Sequence, residues 1–277
     1  MAVDLHIHST ASDGTLTPKE IVREAARLGL TGIAIADHDE LGGSAEAGAH
    51  TAAAGLTLVP AVEISTDYED VEVHILGYWI DPTDAQLLAQ LAAIRAGRIE
   101  RAQRIVDRLR ELGVDRITLD DVLRETSGGS VGRPHVAAAL VRAGVSRHPH
   151  EAFKRYLGKQ APAYVPRVRP TTVEAIDIVR EADGCAVLAH PGLVPRRPGL
   201  IEQMAALGVH GVEAFHPKHS ATQVGLFVER AAAVGLLVTG GSDSHGPGGT
   251  EPVSIGAGSA PDSCLEALEA WRRRHPR

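Results

Sequence analysis

The chain has 277 residues and a mass of 29.2 kDa, the size of one large domain or of one domain that carries an insertion. A net charge of −7 and an aromatic content of only 3% argue against a surface that binds long duplex nucleic acid. The two cysteines are too few for a secreted disulfide framework, and no apolar run reaches the ~20 residues of a membrane-spanning helix. We therefore expect a cytoplasmic protein that has no membrane partner.

The first third of the sequence alternates between strand and helix patterns. The predicted strands are 2–7, 32–36, 56–62 and 71–80. The predicted helices are 18–28 and 44–54. Thr17, Pro18 and Glu20 mark a helix start, because Thr caps the helix, Pro fits its first turn and Glu completes a capping box. Strands that alternate with helices are typical of βα units.

The middle of the chain lacks strand patterns. The predicted helices there are 85–112, 119–125, 134–143 and 151–157. Alternation then returns, with predicted strands at 185–189, 211–215 and 236–239 and predicted helices at 172–182, 200–207, 221–234 and 262–273. We therefore predict an α/β protein whose parallel barrel has two parts, residues 1–83 and 166–277, around a helical insertion at residues 84–165.

Histidine is unusually frequent, with 14 copies against nine aromatic residues. His6 and His8 lie two residues apart on a predicted strand, so both imidazoles project from one face. Asp13 follows in the next loop. Histidine is the commonest metal ligand, so this spacing suggests a metal site.

Other strand ends carry the same residue types. Asp37-His38-Asp39 follows one predicted strand, Glu63 the next, His190 a third, and Asp243-Ser244-His245 the last, while His74 lies within the strand 71–80. Catalytic groups of α/β barrels collect at the carboxyl ends of strands. We therefore predict one inward-facing metal cluster. Its mixed imidazole and carboxylate ligands suit Mn²⁺, Fe²⁺ or Zn²⁺ better than Ca²⁺, and we favour Mn²⁺.

These motifs resemble those of the PHP (polymerase and histidinol phosphatase) superfamily of metal-dependent phosphoesterases. The matching segments are His6-Ile7-His8 with Asp13, Asp37-His38-Asp39, Ala189-His190-Pro191-Gly192 and Ser242-Asp243-Ser244-His245, together with Glu63 and His74. The resemblance implies a distorted (β/α)7 TIM-like barrel and three divalent ions. By this analogy the first ion takes His6, His8, Glu63 and Asp243, the second takes Glu63, His74 and His190, and the third takes Asp13, His38 and His245.

A cluster of three divalent ions outweighs the charge of three carboxylates and so suits a phosphate dianion. We expect a metal-bridged hydroxide to attack a phosphomonoester in line, because metals lower the pKa of bound water toward ~7. The residues expected to be catalytic are Asp13, His38, Glu63, His190, Asp243 and His245. Asp4, Asp37 and Asp39 either orient the imidazoles or serve ordinary loop packing, and the sequence favours neither alternative.

The helical insertion holds the candidate substrate contacts. Arg98 and Arg101 are neighbours on one helical face, and Gly132-Arg133-Pro134-His135 resembles an anion-binding helix start. A solvated helix face is the alternative for any single arginine. The resemblance is greatest to the subgroup that removes the 3′-phosphate of nucleoside 3′,5′-bisphosphates, and it implies that Arg98, Arg101 and Arg133 hold the other phosphate, with Lys159 as a weaker candidate. That subgroup pairs Arg with Asn where this chain has Arg101-Ala102. His216 follows another strand end and either lines the site or belongs to a loop.

The predicted function is hydrolysis of the 3′-phosphate of a nucleoside 3′,5′-bisphosphate. Three alternatives stay open: a 5′-3′ exoribonuclease on short RNA, a histidinol-phosphate phosphatase, and a metal- or nucleotide-binding regulatory module without turnover. The expected partner is a small phosphorylated nucleotide or a short RNA 5′ end, and the sequence leaves the oligomeric state open.

Overall fold

The structure is a computed structural model that describes residues 2–126, 130–166, 169–195, 197–248, 252–258 and 260–276. The strands in these residues are β1 Ala2–Ile7, β2 Gly32–Ile35, β3 Thr57–Leu58, β4 Ala61–Tyr68, β5 Val71–Tyr78, β6 Cys185–Leu188, β7 Gly211–Phe215, β8 Leu237–Gly240 and β9 Ala260–Pro261. The helices are α1 Pro18–Arg27, α2 Gly42–Ala54, α3 Ala85–Glu111, α4 Leu119–Leu123, α5 Arg133–Arg142, α6 Pro149–Ala152, α7 Thr172–Glu181, α8 Leu200–Leu207, α9 Ala221–Ala233 and α10 Asp262–Arg274.

Local sequence signals set the ends of several helices. Helix α1 begins with a complete capping box, in which the Thr17 hydroxyl accepts the Glu20 N–H at 3.3 Å and a Glu20 carboxylate oxygen accepts the Thr17 N–H at 2.8 Å. Gly29 follows the helix at a φ of 72°, a left-handed conformation that glycine adopts without strain. The predicted start and end of this helix are therefore confirmed. No helix in the described residues is long and apolar enough to cross a membrane.

The strands form two sheets, with the orders β3-β2-β1-β9 and β4-β5-β6-β7-β8. The pairs β1–β2, β2–β3, β6–β7 and β7–β8 are parallel, as predicted. Strands β4, β5 and β6 are antiparallel neighbours, and the unpredicted strand β9 runs antiparallel to β1. The prediction of an all-parallel barrel is therefore wrong, because the short connection from β4 to β5 makes a hairpin and cannot make a parallel crossover.

The two sheets contact each other at both edges of the five-stranded sheet, at β4 and just after β8. Next to β1, the His8 N–H donates to the Ser244 carbonyl at 2.9 Å, and beside β2 the Glu63 N–H donates to the Asp37 carbonyl at 3.1 Å. Gly241 permits the first approach, because a Cβ there would lie 2.4 Å from the His6 nitrogen. No closed barrel is found among the described residues. The mixed α/β fold is thus confirmed, while the distorted (β/α)7 barrel stays a prediction.

The predicted strand 56–62 is also wrong in its bounds. Two strands occupy this region, since β3 pairs with β2 and β4 pairs with β5. Pro60 separates them, because it has no N–H to donate to either ladder, and its carbonyl instead accepts the Trp79 N–H at 2.8 Å. Glu63 consequently lies within β4 and does not follow the end of a strand.

The long helix α3 connects two hydrophobic cores. Near its start, Leu87 and Leu91 pack in the core formed by β4, β5 and α7. Further along, Ile105 and Leu109 pack in a separate cluster with residues of α4, α5 and the π-helical turn Phe153–Leu157. Because Arg98 lies between these two halves, α3 holds it where the helical segment meets the sheets.

Candidate metal centre

Strand β1 sets the position of two imidazoles. His6 and His8 are fully buried and point to the same side, with their Nε2 atoms 3.1 Å apart. Leu5 and Ile7 alternate with them and pack in two hydrophobic clusters on the other side of the strand. The alternation predicted from the sequence is therefore present.

Asp243 approaches this histidine pair from the loop after β8. Its Oδ1 lies 3.1 Å from His8 Nε2 and 3.6 Å from His6 Nε2. Asp243 has a φ of 52°, which is uncommon outside glycine and costs on the order of 1–3 kcal/mol. The surrounding chain holds this conformation, because the Asp243 N–H donates to the His6 carbonyl at 2.8 Å.

Glu63 is the central carboxylate of the cluster. Its Oε1 lies 2.8 Å from His74 Nδ1 and 3.0 Å from His190 Nε2. Its Oε2 lies 3.0 Å from His38 Nδ1. Glu63 and His74 reach the same space because β4 and β5 pair as a hairpin, and His190 arrives from the end of β6. One side chain thus contacts imidazoles from three parts of the fold.

The third part of the cluster lies around Asp13. His245 Nε2 is 3.4 Å from Asp13 Oδ1, and His38 Nε2 is 3.9 Å from Asp13 Oδ2. Side-chain ligand atoms that lie within 4.8 Å of one another define three groups: His6, His8 and Asp243; His38, Glu63 and His74; and His8, Asp13, His38 and His245. The structure brings together all nine side chains proposed as ligands. It groups His38 with Glu63 as well as with Asp13, which differs from the division implied by the resemblance.

The donor set fits divalent cations. Ring nitrogens of His8 and His190 are buried without a hydrogen bond, and the Nε2 atoms of His6 and His8 face each other, an arrangement that a cation between them would stabilise. Burial, followed by the charge of His245, lowers the pKa of His8 to about 4, so the ring is neutral at pH 7 and one of its nitrogens has a free lone pair. Burial alone would raise the pKa of Glu63, but the rings of His74 and His38 hold it well below its usual value.

Arginines form a second cluster beside the ligand atoms. Arg98 Nε donates to Asp39 Oδ2 at 2.5 Å, and Arg101 Nε donates to the Val165 carbonyl at 2.9 Å. Both side chains are only 8% exposed. Burial, and next the positive charge of Arg133, lowers the pKa of Arg101 to about 10. Arg98, Arg101 and Arg133 thus lie near one another, and Arg101 has no carboxylate partner among the described residues.

The other two candidate substrate residues differ in position. His216 is buried, with its Nε2 3.6 Å from Asp243 Oδ2 and its ring 5.7 Å from that of His190, so it lies at the cluster. Lys159 is exposed, and its side chain makes no hydrogen bond or ion pair within the part of the chain that is described.

Sequence reasoning did not identify Glu213 and assigned no role to His135. Glu213 is a fully buried acid on β7, with its Oε1 3.0 Å from His6 Nδ1. The sequence feature that could have identified Glu213 is an acidic residue within an otherwise apolar strand. His135 lines a cavity of about 800 Å³ together with Ser12, Asp13 and Phe153. The sequence feature that could have identified His135 is the Arg-Pro-His motif at the start of α5.

The sequence left the roles of three carboxylates undecided, and two of them, Asp37 and Asp4, hold loops and do not orient imidazole rings. Asp37 accepts the Ser9 N–H at 2.7 Å and the Ser12 hydroxyl at 2.6 Å, which orders the loop that carries Asp13. Asp4 accepts the backbone N–H groups of Ser242 and Gly256, both at 2.8 Å. Asp39 has a φ of 54°, and its carboxylate accepts a hydrogen bond from Arg98 Nε.

Comparisons with known proteins cover nearly the whole chain. A family model described as the PHP domain matches residues 4–93. A 3′,5′-nucleoside bisphosphate phosphatase of Chromobacterium violaceum is 36% identical over 251 residues, 89% of this chain and 88% of that protein. A 5′-3′ exoribonuclease of Haemophilus influenzae is 35% identical over 252 residues, 89% of this chain and 90% of that protein. A crystal structure from Bifidobacterium adolescentis, described as a metal-dependent phosphoesterase, is 38% identical with a TM-score of 0.86 and covers 97% of this chain and 95% of its own.

Proposed function

The chain belongs to the PHP family of metal-dependent phosphoesterases, and we propose that it removes the 3′-phosphate from nucleoside 3′,5′-bisphosphates such as adenosine 3′,5′-bisphosphate. The observation that carries this proposal is the pair of adjacent clusters: a buried set of imidazoles and carboxylates next to buried arginines. The first suits the phosphate that reacts, and the second suits a phosphate that does not. A substrate with two phosphates uses both. The similarity to the Chromobacterium phosphatase supports this choice.

Three divalent ions, Mn²⁺ in preference to Fe²⁺ or Zn²⁺, are part of the proposal. The residues that would hold them are His6, His8, Asp13, His38, Glu63, His74, His190, Asp243 and His245. Bound ions of this kind lower the pKa of coordinated water and offset negative charge on phosphate oxygens. Among these nine, Asp13, His38, Glu63, His190, Asp243 and His245 are the proposed catalytic set. His216, beside Asp243, is proposed to contact the reacting phosphate.

The arginine cluster is the proposed site of the phosphate that is not hydrolysed. Arg98 keeps one carboxylate contact, with Asp39, whereas the hydrogen bonds that Arg101 and Arg133 make within the described residues go to backbone carbonyls, those of Val165 and Leu157. Arg101 is a buried guanidinium group without a carboxylate partner among the described residues, which is costly, and a phosphate dianion bound by its N–H groups relieves that cost. Lys159 is retained as a weaker contact.

The cavity beside Asp13 is proposed to hold the nucleoside. Its volume of about 800 Å³ falls within the range of roughly 300–1,000 Å³ that is usual for small-molecule sites. His135 Nδ1 accepts the Gly132 N–H at 2.9 Å, so the ring hydrogen resides on Nε2. His135 therefore offers a hydrogen-bond donor to a ligand in this cavity.

The finer description of the fold belongs to the same proposal. We propose that the two sheets are halves of a distorted (β/α)7 barrel, formed by residues 1–83 and 166–277, and that residues 84–165 form a substrate-binding subdomain. The links of β1 to the loop after β8 and of β2 to β4 support the first statement. The separate hydrophobic cluster of α3 to α6 supports the second.

Phosphate release from a substrate panel tests the proposed reaction. The purified protein is stripped of metal, reconstituted with Mn²⁺, and assayed with adenosine 3′,5′-bisphosphate, adenosine 3′-monophosphate and histidinol phosphate. We expect the highest kcat/KM for the bisphosphate, with adenosine 5′-monophosphate as the product. A higher kcat/KM for histidinol phosphate would overturn the proposal. Absence of turnover on every substrate would favour a regulatory module.

A 5′-3′ exoribonuclease is the second candidate, favoured by the similarity to the Haemophilus enzyme. The same arginines would then bind the 5′-phosphate of a short RNA. End-labelled oligoribonucleotides with and without a 5′-phosphate separate the two functions. Stepwise release of 5′-mononucleotides at a kcat/KM above that for the bisphosphate would establish the exonuclease as the main activity.

A further inference from the structure

Glu213 connects two residues of the proposed metal centre that lie on different strands. It is 0% exposed on β7. One carboxylate oxygen, Oε2, accepts the His190 N–H at 2.8 Å, and the other, Oε1, lies 3.0 Å from His6 Nδ1. Both oxygens therefore contact candidate metal ligands: one contacts the backbone N–H of His190 and the other contacts the ring of His6.

The direction of the second hydrogen bond follows from the chemistry of the carboxylate. A carboxylate has no hydrogen to donate, and the other oxygen of Glu213 already accepts the His190 N–H, so Oε1 is placed to accept from His6 Nδ1. His6 Nδ1 must then carry the hydrogen. His6 Nε2 faces His8 Nε2 at 3.1 Å and Asp243 Oδ1 at 3.6 Å, within the cluster.

We propose that Glu213 is a positioning residue that fixes His6 in the Nδ1–H tautomer and so directs the Nε2 lone pair toward the metal centre. This inference rests on the metal role proposed for His6. A metal-bound imidazole commonly donates its other N–H to a carboxylate, which fixes the ring and raises its basicity. Among the described residues, the hydrogen-bond partners of Glu213 are His6 Nδ1 and the His190 N–H, so it acts through these residues.

The same carboxylate also holds His190. The His190 backbone has a φ of 26°, an uncommon conformation for a residue that has a Cβ, and the hydrogen bond from its N–H to Glu213 helps to keep it there. This geometry turns His190 Nε2 toward Glu63, 3.0 Å away. One buried acid thus orients two imidazoles.

Glutamine cannot replace Glu213 in this arrangement. If its amide oxygen accepts the His190 N–H, its amide nitrogen must donate to His6 Nδ1, and the ring hydrogen moves to Nε2, where it blocks metal binding. If the oxygen instead faces His6, the amide nitrogen opposes the His190 N–H, donor against donor. Either orientation of Glu213→Gln therefore disturbs one of the two histidines.

The test uses the full chain loaded with Zn²⁺, a diamagnetic substitute for Mn²⁺, and ¹⁵N NMR of histidine rings. In the wild-type protein we expect the His6 hydrogen on Nδ1, protected from solvent exchange. In Glu213→Gln we expect Zn²⁺ affinity, measured by competition with a chelating dye, to fall about 10- to 100-fold, and we expect the Nδ1–H signal to be lost where the amide nitrogen faces His6.

Asp4→Asn is the matched control. Asp4 is equally buried and accepts three backbone N–H bonds, from His6, Ser242 and Gly256, but it contacts no imidazole ring. Both changes remove one buried acceptor, so we expect Asp4→Asn to lower the melting temperature about as much as Glu213→Gln does. We expect Asp4→Asn to keep the His6 Nδ1–H signal and a Zn²⁺ affinity within about threefold of wild type.

Two results would overturn the inference. One is a wild-type His6 whose hydrogen lies on Nε2, a measurement that needs no variant. The other is a folded Glu213→Gln protein that keeps both the Nδ1–H signal and the wild-type Zn²⁺ affinity. Neither readout involves substrate, so a wild-type protein that fails to hydrolyse the bisphosphate refutes the proposed function and leaves this test intact.

Discussion

Replacing Arg101 by methionine should reduce activity selectively while leaving the protein as stable as before. Arg101 is buried beside Arg133 and has no carboxylate partner among the described residues, so its charge is unfavourable in the free protein. The decrease of its pKa from the usual value to about 10 corresponds to ~3 kcal/mol, and we reduce this to ~1–2 kcal/mol because the arginine cluster is partly solvated.

Loss of the hydrogen bond from Arg101 Nε to the Val165 carbonyl acts in the opposite direction and costs ~1 kcal/mol. The two effects nearly cancel. We therefore expect the free energy of unfolding of Arg101→Met to lie within ~1 kcal/mol of wild type. A charge-assisted hydrogen bond to phosphate contributes ~1.5–3 kcal/mol, so kcat/KM for adenosine 3′,5′-bisphosphate should fall about 10- to 150-fold.

The assay compares two substrates that differ only in the 5′-phosphate. Adenosine 3′-monophosphate lacks the phosphate that we propose the arginine cluster binds, so we expect its kcat/KM to change less than twofold in Arg101→Met. Arg104→Met, on the same helix but 47% exposed and paired at 4.0 Å with Glu100, is the control and should leave both substrates unchanged. Equal losses on both substrates, or a large loss of stability, would refute the reasoning.

Three further predictions concern the metal centre. Gly241→Ala should lower the melting temperature and weaken Mn²⁺ binding, measured by calorimetry, because its Cβ would lie 2.4 Å from the His6 nitrogen; unchanged binding would contradict the packing argument. Asp243→Asn should lower kcat more than ~100-fold while circular dichroism stays that of wild type, and Mn²⁺ should not restore activity. Burial disfavours the charged rings of His74 and His245, but Glu63 and Asp13 outweigh it and raise both pKa values to about 9. The protonated rings therefore stabilise the metal-free fold fully below pH 6.5, and this stabilisation is lost as the pH rises through about 9. Burial also disfavours the charged ring of His6, but Glu213 and Glu63 outweigh it and raise its pKa well above the usual value. Mn²⁺ binding near about pH 7.5 should therefore release protons from His6, His74 and His245, seen as calorimetric heats that depend on the buffer, and affinity should rise up to about pH 9; heats independent of the buffer would exclude this.

Local patterns in the sequence account for most of the secondary structure. The Thr17–Glu20 capping box involves residues three apart, so it forms whatever the rest of the chain does. The alternation of His6 and His8 with apolar neighbours fixes which side of β1 they occupy. Because the candidate ligands follow or occupy strands, their residue types and positions also predicted that they would converge.

Contacts between distant segments decided the rest. The sequence did not predict that Pro60 divides a predicted strand in two, that β9 pairs with β1, or that the sheets remain two. These features depend on which strands pair, and pairing is a long-range choice that a period of two residues does not encode.

The roles of the acids show the same division between sequence and structure. The sequence by itself determined that His6 is a candidate ligand, since its type and its spacing from His8 are local properties. Only the tertiary structure decided that Glu213, 207 residues away, holds its ring, while Asp4 and Asp37 hold loops. The reason is physical: a carboxylate serves whichever donors folding brings within ~3 Å, and those donors lie on other strands.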